Sequence, residues 1–262
     1  MKEVKTSINN LTVNYKIAGE GPAVLILHGW GGSSDSWLEV QKFLADENYT
    51  VIVPDFPGFG KSITPGQAWS TKEYVDWLDD FIKEIRTFHS FEEPFFLIGH
   101  SFGGRVAIRF AGLYPQRLKK LILCDSAGIK SEPDLKARII FSLSKIGNAV
   151  FSPQILVRFK DALRNVFYFF IRNRDYVKAE GTMKETMKKV ISEDLLSDLS
   201  NIQASTLVVW GKKDKIVPVK YAYVFEEKIK DCRLELLPEI GHSPHLEVPK
   251  KLSQIIIYFL KS

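Results

Sequence analysis

The chain has 262 residues, of which 45% are hydrophobic and 26% are charged. This composition is typical of a globular protein and excludes a disordered, collagen-like or coiled-coil chain, and the length suffices for one large domain or for a domain with a sizeable insertion. Lys and Arg exceed Asp and Glu by 36 to 31, a mild excess without the dense basic clusters of nucleic-acid-binding proteins, so we predict no nucleic-acid partner.

The cysteines and the apolar runs predict a soluble cytoplasmic protein. Cys124 and Cys232 are the two cysteines of the chain, and their spacing matches neither a CxxC motif nor a zinc site, so we expect free thiols in a reducing compartment and no metal. The start of the chain alternates polar and apolar residues, unlike a signal peptide. The densest apolar run, residues 166–171, is too short to span a bilayer.

Short apolar runs, each followed by a turn signal and a segment of helix length, predict buried parallel strands. In chain order they are residues 24–27, 51–53, 95–98, 121–123, 206–210 and 234–237. Residues 71–88 place apolar side chains three and four positions apart, which predicts a helix with one apolar face. The alternation predicts an α/β fold with a mostly parallel central sheet, helices on both faces and ligands beyond the carboxyl ends of the strands.

The alternation is interrupted once, after the strand predicted at residues 121–123. We predict a core domain made of residues 1–126 and 203–262, with residues 127–202 inserted as a helical cap. Residues 130–190 contain 13 Lys and Arg against 6 Asp and Glu, a balance that either steers an acidic partner or anionic substrate or simply faces solvent. The run Phe167, Tyr168, Phe169 and Phe170 either lines an acyl pocket or attaches the cap to the core.

The segment FFLIGHSFGG, followed by an amphipathic stretch, matches the motif G-x-S-x-G between a strand and a helix. Nucleophilic catalysis by the serine of this motif needs the serine on a sharp turn at the sheet edge. The crowded backbone of such a turn favours glycine at positions 99 and 103. Ser101 is therefore the predicted nucleophile, although a short motif of this kind also occurs by chance.

A serine hydroxyl needs a base, and the base needs a partner that fixes its tautomer. His242, in a glycine-preceded loop after the last strand, is the predicted base; His245 is its rival and is expected to be structural. We expect His28 and His100 to bond the loops around them and His89 to have no functional role.

Asp214 follows the strand at residues 206–210 and is the predicted acid, which gives the chain order Ser, Asp, His. Asp125 is a competitor, because it follows the neighbouring strand, and Asp55 is a weaker one. For the oxyanion of a tetrahedral intermediate, which needs two backbone donors, we predict the N–H groups of Phe102 and Trp30. The glycines around Trp30 do not form a phosphate-binding loop, because G-x-x-x-x-G-K-[ST] is absent.

These motifs resemble the α/β-hydrolase superfamily, and in particular its carboxylesterase-like serine hydrolases with a helical cap. The motifs are HGWGG at 28–32, DFPGFGKS at 55–62, GHSFGG at 99–104, GKKD at 211–214 and GHSP at 241–244. The resemblance implies ester hydrolysis through an acyl-enzyme without a cofactor. Serine at position 101 argues against the haloalkane dehalogenases and epoxide hydrolases of the superfamily, which have aspartate there.

The first two motifs are also similar to those of the pimeloyl-carrier-protein methyl ester esterases, which implies an acidic carrier protein as a possible partner. Its candidate contacts in the basic cap are Arg138, Arg158, Arg164, Arg172 and Arg174. Such a carrier-protein methyl ester esterase is one of three alternatives to a small-molecule esterase that stay open. The other two are a carbon-carbon bond hydrolase of dienoates and a non-enzymatic ligand receptor on the same fold.

Overall fold

Residues 1–89, 91–130 and 181–262 are described by the computed structural model. In these ranges eight strands form one sheet with the order β1-β2-β4-β3-β5-β6-β7-β8. They are β1 (Lys2–Ile8), β2 (Leu11–Ala18), β3 (Ala23–Leu27), β4 (Thr50–Pro54), β5 (Phe95–His100), β6 (Leu118–Cys124), β7 (Ser205–Gly211) and β8 (Cys232–Leu237).

The six strands predicted from apolar runs are confirmed as β3 to β8, and every pair among them is parallel. β1 and β2 were not predicted as strands; they form an antiparallel hairpin, and β2 pairs antiparallel with β4. β1 lies at the sheet edge with mostly exposed side chains, so it lacks the continuous apolar run that marks a central strand.

Helices cover both faces of the sheet. Within the described residues they are α1 (Leu38–Asp46), α2 (Thr71–Ile85), α3 (Phe102–Leu113), α4 (Thr182–Ser192), α5 (Leu196–Leu199), α6 (Lys220–Lys228), α7 (Pro244–Glu247) and α8 (Pro249–Lys261). α2, α3 and α6 pack in one apolar core and α1 and α8 in the other. The predicted α/β fold, with helices on both faces of a mostly parallel central sheet, is confirmed.

The predicted helix at residues 71–88 is three residues too long at its end. α2 begins with a capping box. The Ser70 side chain accepts a hydrogen bond from the backbone of the first turn, and the Glu73 carboxylate accepts one from the backbone N–H of Ser70. It ends at Ile85, which is the last residue of the buried face. Phe88, the apolar residue that suggested a longer helix, is 66% exposed. It therefore makes no packing contact that would favour a further helical turn.

Most of the predicted cap, including the five arginines and Phe167 to Phe170, lies outside the described residues. The described end of this segment, residues 181–202, packs against the core. Thr186 Oγ1 accepts from the Trp69 N–H at 3.0 Å, and Glu193 accepts from the Thr71 N–H at 2.9 Å. Arg109 pairs with Asp198 at 3.1 Å. The α4 segment is therefore fixed to the beginning of α2 and to the face of α3.

None of the helices in the described ranges is both long enough and apolar enough to cross a membrane.

The parallel direction of β3 to β8 brings the chain segments after these strands to one edge of the sheet. α3 begins there in close contact with the neighbouring strand. A Cβ on Gly103 would lie 2.6 Å from the His28 carbonyl oxygen and nearer still to that of Leu27. A side chain at this position would therefore force the start of α3 away from β3.

We expect Gly103→Ala to lower the melting temperature, although alanine usually stabilises a helix by about 0.5–1 kcal/mol relative to glycine. Gly112→Ala is the matched control in the same helix, since its Cβ would lie an ordinary 3.5 Å from Asn201 Cβ. Thermal unfolding of both variants checks this. Equal behaviour of the two variants would contradict the close approach at Gly103.

Candidate active site

Ser101 lies between β5 and α3 in a backbone conformation that few residues other than glycine adopt. Its φ of 50° and ψ of −112° are a strained combination for a side chain with a Cβ. The surrounding backbone fixes it: the Ser101 N–H donates to the Cys124 carbonyl at 3.2 Å, and its own carbonyl accepts from the Ala127 N–H at 3.0 Å. The turn is thus held to the last residue of β6 and to the segment that follows this strand.

The structure brings the side chains of Ser101, His242 and Asp214 together although they are up to 141 positions apart in the chain. His242 Nε2 lies 2.9 Å from Ser101 Oγ, and His242 Nδ1 lies 2.8 Å from Asp214 Oδ2. Because a carboxylate accepts, Nδ1 carries the ring proton of the neutral imidazole, which leaves Nε2 free to accept the serine proton. The three groups form one continuous hydrogen-bonded line.

The turn after β7 holds the Asp214 carboxylate in place. Its Oδ1 accepts from the backbone N–H of Ile216 at 2.7 Å and of Val217 at 3.0 Å. The Asp214 side chain is fully buried, and the His242 side chain is 12% exposed. Each carboxylate oxygen therefore has a defined partner, and Oδ2 remains directed at the imidazole.

Two further residues hold the loop that carries His242. The sequence analysis expected His100 to bond the loops around it, and it did not assign a function to Glu247. The His100 ring donates from Nε2 to the His242 carbonyl at 2.7 Å. The Glu247 carboxylate accepts from the N–H of Gly241 at 2.9 Å and of Ser243 at 3.1 Å. An acid in the short proline-started helix just after the histidine loop was the available signal for Glu247.

The alternative histidines and Asp55 have other neighbours. His245 is buried and stacks on Trp37 with ring centroids 4.5 Å apart, and burial lowers the pKa of His245 to about 3. The Asp55 carboxylate accepts from the Ser34 N–H at 2.6 Å and from the Lys61 N–H at 2.9 Å. Both side chains thus stabilise the loops around the sheet edge. His89 bonds the Tyr15 hydroxyl at 2.8 Å.

Asp125, the competing acid, lies next to the His242–Asp214 pair. Its Oδ1 accepts from the Gly211 N–H at 2.9 Å, and ligand atoms of Asp125, Asp214 and His242 all lie within 4.8 Å of one another. Burial, and after it the nearby Asp214 carboxylate, raises the pKa of Asp125 well above its usual range. This carboxyl therefore favours its protonated form.

This group of two carboxyls and one imidazole is close enough to share a cation. However, both oxygens of Asp214 and both ring nitrogens of His242 already have hydrogen-bond partners. A cation would have to displace these bonds. The arrangement suits proton transfer along the line from Ser101 better than metal ligation.

The backbone N–H groups of Trp30 and Phe102 belong to the segments that border Ser101. Phe102 is the first residue of α3, where a backbone N–H has no acceptor within its own helix and carries the positive end of the helix dipole. A Cβ on Gly29 would lie 3.3 Å from Ser101 Cβ, so the loop before Trp30 adjoins the serine. The Trp30 ring packs edge-on against Phe59 at 4.8 Å and Phe102 at 5.3 Å.

A family model described as alpha/beta hydrolase fold matches residues 22–249, which is most of the chain. The chain belongs to the α/β-hydrolase family. Its mostly parallel sheet and the serine turn between β5 and α3 agree with the sequence motifs. The family accounts for a hydrolase scaffold and leaves the bond that is cleaved open, because one scaffold supports several chemistries.

Similar proteins include hydrolases of two kinds. This α/β-hydrolase is 28% identical to monoacylglycerol lipase ABHD6 of Homo sapiens, over 93% of this chain and 77% of that protein. It is 29% identical to 2-hydroxy-6-oxo-6-(2'-aminophenyl)hexa-2,4-dienoic acid hydrolase of Metapseudomonas resinovorans, over 94% of this chain and 86% of that protein. The crystal structure of a serine hydrolase involved in carbazole degradation superposes with a TM-score of 0.72 at 28% identity, covering 99% of both chains.

We expect Asp125→Asn to change the pH dependence of stability. Asparagine keeps an acceptor for the Gly211 N–H and cannot ionise. Because the folded-state pKa of Asp125 is raised, the folded protein binds its proton more tightly than the unfolded chain, and the parent loses stability as the pH rises above the unfolded value of about 3.9. The melting temperature of the variant relative to the parent should therefore increase from pH 4 to pH 8.

The control for this measurement is Asp231→Asn, which changes an exposed aspartate in the turn before β8. Its difference from the parent should stay nearly constant over the same pH range. A difference for Asp125→Asn that is equally flat would show that Asp125 is already ionised in the folded protein.

Proposed function

We propose that this α/β-hydrolase is a serine esterase that cleaves carboxylic esters through an acyl-enzyme on Ser101. The observation that carries the proposal is the continuous line from Ser101 Oγ through His242 to Asp214, with distances of 2.9 Å and 2.8 Å. Such a line supplies the activated hydroxyl, the base and the group that orients the base.

The reaction proceeds in two halves. In the first, Ser101 Oγ attacks the ester carbonyl carbon while His242 Nε2 takes the hydroxyl proton, and collapse of the tetrahedral intermediate releases the alcohol, which leaves with that proton. In the second, His242 takes a proton from water as the water oxygen attacks the acyl carbon, and the proton returns to Ser101 as the acid is released. Asp214 stabilises the imidazolium form in both halves.

The N–H groups of Trp30 and Phe102 are the proposed donors to the oxyanion of both intermediates. Each donor of this kind contributes about 10²–10³-fold to kcat in a hydrolase. Support comes from the position of Phe102 at the beginning of α3 and from the contact between Gly29 and Ser101.

Apolar side chains on the segments that adjoin Ser101 favour an ester with an apolar acyl or alcohol group. The rings of Trp30, Phe59 and Phe102 pack together. Met183 of α4 adjoins the loop that carries Phe59, since a Cβ on the neighbouring Gly58 would lie 2.6 Å from Met183 Cε. An apolar pocket wall with a few polar groups is typical of small-molecule sites. The lipase among the similar proteins supports the same substrate class.

Carbon-carbon bond hydrolysis of a dienoate is the second candidate, and the 29% identity to the dienoic acid hydrolase favours it. The same serine, histidine and aspartate serve both reactions in our proposal. The two candidates differ in the bond that is cleaved and therefore in the substrate that must be supplied.

We expect Ser101→Ala and His242→Ala each to lower kcat/KM for a p-nitrophenyl ester by at least about 10³-fold, because members of such a triad act as a unit. An organophosphonate should label the parent at one position, Ser101, as read by peptide mass spectrometry. His89→Gln is the control for loss of an imidazole remote from the serine. Labelling at another residue, or full activity of Ser101→Ala, would overturn the proposal.

A substrate panel separates the two candidate reactions. Short, medium and long p-nitrophenyl esters are compared with 2-hydroxy-6-oxohexa-2,4-dienoates by steady-state kinetics on the parent protein. We expect the highest kcat/KM for an ester. A dienoate turned over with a higher kcat/KM than every ester would instead assign the carbon-carbon bond reaction to this chain.

A further inference from the structure

The buried imidazole of His28 has different partners for its two ring nitrogens. The Phe56 backbone N–H lies 3.0 Å from His28 Nε2. Because a backbone N–H can only donate, Nε2 must be the unprotonated nitrogen. The proton of the neutral ring is then on Nδ1, which lies 2.7 Å from the Gly29 carbonyl oxygen. The neighbours therefore fix a single tautomer, and His28 donates to the Gly29 carbonyl.

The Gly29 carbonyl accepts a second hydrogen bond, from the Gly32 N–H at 3.1 Å. Two donors thus fix the plane of the peptide that joins Gly29 to Trp30. In a trans peptide the carbonyl and the N–H point in opposite directions, so the Trp30 N–H is directed away from the His28 ring. A Cβ on Gly29 would be only 3.3 Å from Ser101 Cβ, so this peptide adjoins the serine.

We propose that His28 is a positioning residue, which orients the Trp30 N–H toward the oxyanion through the hydrogen bond from His28 Nδ1 to the Gly29 carbonyl. This inference rests on the proposed function, because that function assigns an oxyanion to the Trp30 amide. Rotation of the same peptide would place the Gly29 carbonyl where the donor is needed, and a carbonyl oxygen repels the developing negative charge. The hydrogen bond from His28 opposes this rotation.

The surroundings of His28 keep the ring neutral and fixed. Burial lowers the pKa of His28, so the ring does not gain the second proton that would turn Nε2 into a donor. The rings of Phe56 and Phe59 pack edge-on against it, with centroids 5.0 Å and 5.8 Å away. The imidazole therefore has little freedom to rotate or to exchange its partners.

The donor to Nε2 is fixed as well, through the carboxylate of Asp55 beside it. Asp55 accepts from the Ser34 N–H at 2.6 Å, from Asn14 Nδ2 at 3.0 Å and from the Lys61 N–H at 2.9 Å. The loop that supplies the Phe56 N–H is thus tied to β2 and to the segment after β3. A line of hydrogen bonds runs from this loop through His28 to the Gly29 peptide.

Two variants separate the two ring nitrogens. In His28→Asn the side-chain amide nitrogen takes the place of Nδ1 and keeps a donor for the Gly29 carbonyl, while the Phe56 N–H loses its acceptor. In His28→Gln the amide oxygen reaches the place of Nε2 and keeps that acceptor, while the Gly29 carbonyl loses its donor. We expect kcat to fall by about 10²–10³-fold in His28→Gln, the effect of losing one oxyanion donor, with KM little changed. His28→Asn should retain kcat within about tenfold, with a lower melting temperature.

The decisive readout compares a p-nitrophenyl ester with its thionoester, in which sulfur replaces the carbonyl oxygen. Sulfur is a weaker and larger acceptor, so a correctly placed donor favours the oxygen substrate. The rate ratio of oxygen to sulfur substrate should drop in His28→Gln and stay near the parent ratio in His28→Asn. A merely structural role of His28 would lower the rates of both substrates together and leave the ratio unchanged, which would overturn the proposal.

Nitrogen chemical shifts of the His28 ring in the unaltered protein test the tautomer without any turnover. A proton on Nδ1 supports the proposal, and a proton on Nε2 overturns it even if the variants fail to fold. Failure of the proposed function has a different signature: the parent itself would hydrolyse no ester of the panel, or would show no preference for the oxygen substrate.

Discussion

The close approach of the beginning of α3 to the ends of β3 and β5 is the constraint on which the rest of this structure depends. A Cβ on Gly99 would lie 2.7 Å from the Gly103 carbonyl oxygen, so the turn tolerates no side chain at positions 99 and 103, two residues before and two residues after the serine. This crowding forces Ser101 into its positive φ. The neighbouring strands and loops then determine what surrounds the serine hydroxyl, because parallel strands deliver their following segments to the same edge.

Several titratable side chains are buried at this edge of the sheet, and burial favours the neutral form of most of them. The imidazoles of His28, His100 and His245 all have pKa values lowered by burial, so they serve as neutral hydrogen-bonding or stacking groups. The two buried carboxyls next to His242 avoid repulsion because Asp125 favours its protonated form. In the reaction that we propose, hydrogen-bonding groups held in fixed positions stabilise the charges that develop on His242 and on the oxyanion.

The geometry of the site also depends on residues that hold the surrounding loops in place, besides Ser101, His242 and Asp214. Glu247 and His100 hold the loop of His242, and Asp55 holds the loops next to His28. Met183 of α4 also packs against Gly58, in the loop after β4. In our proposal none of these residues contacts the substrate. Their contribution is to restrict the movement of the side chains of Ser101, His242 and Asp214.

Sequence alone determined the fold class, the six parallel strands and the candidate residues Ser101, Asp214 and His242, because apolar runs and glycine-marked turns are local signals. It did not predict β1 and β2, because neither strand contains a continuous apolar run. It placed the end of α2 three residues too late because the exposure of Phe88 is not a local property. Only the tertiary structure decided which carboxyl bonds His242, that Glu247 and His100 hold its loop, and which tautomer His28 adopts. These outcomes depend on distances between segments far apart in the chain, and a hydrogen bond or a buried charge is decided by such distances.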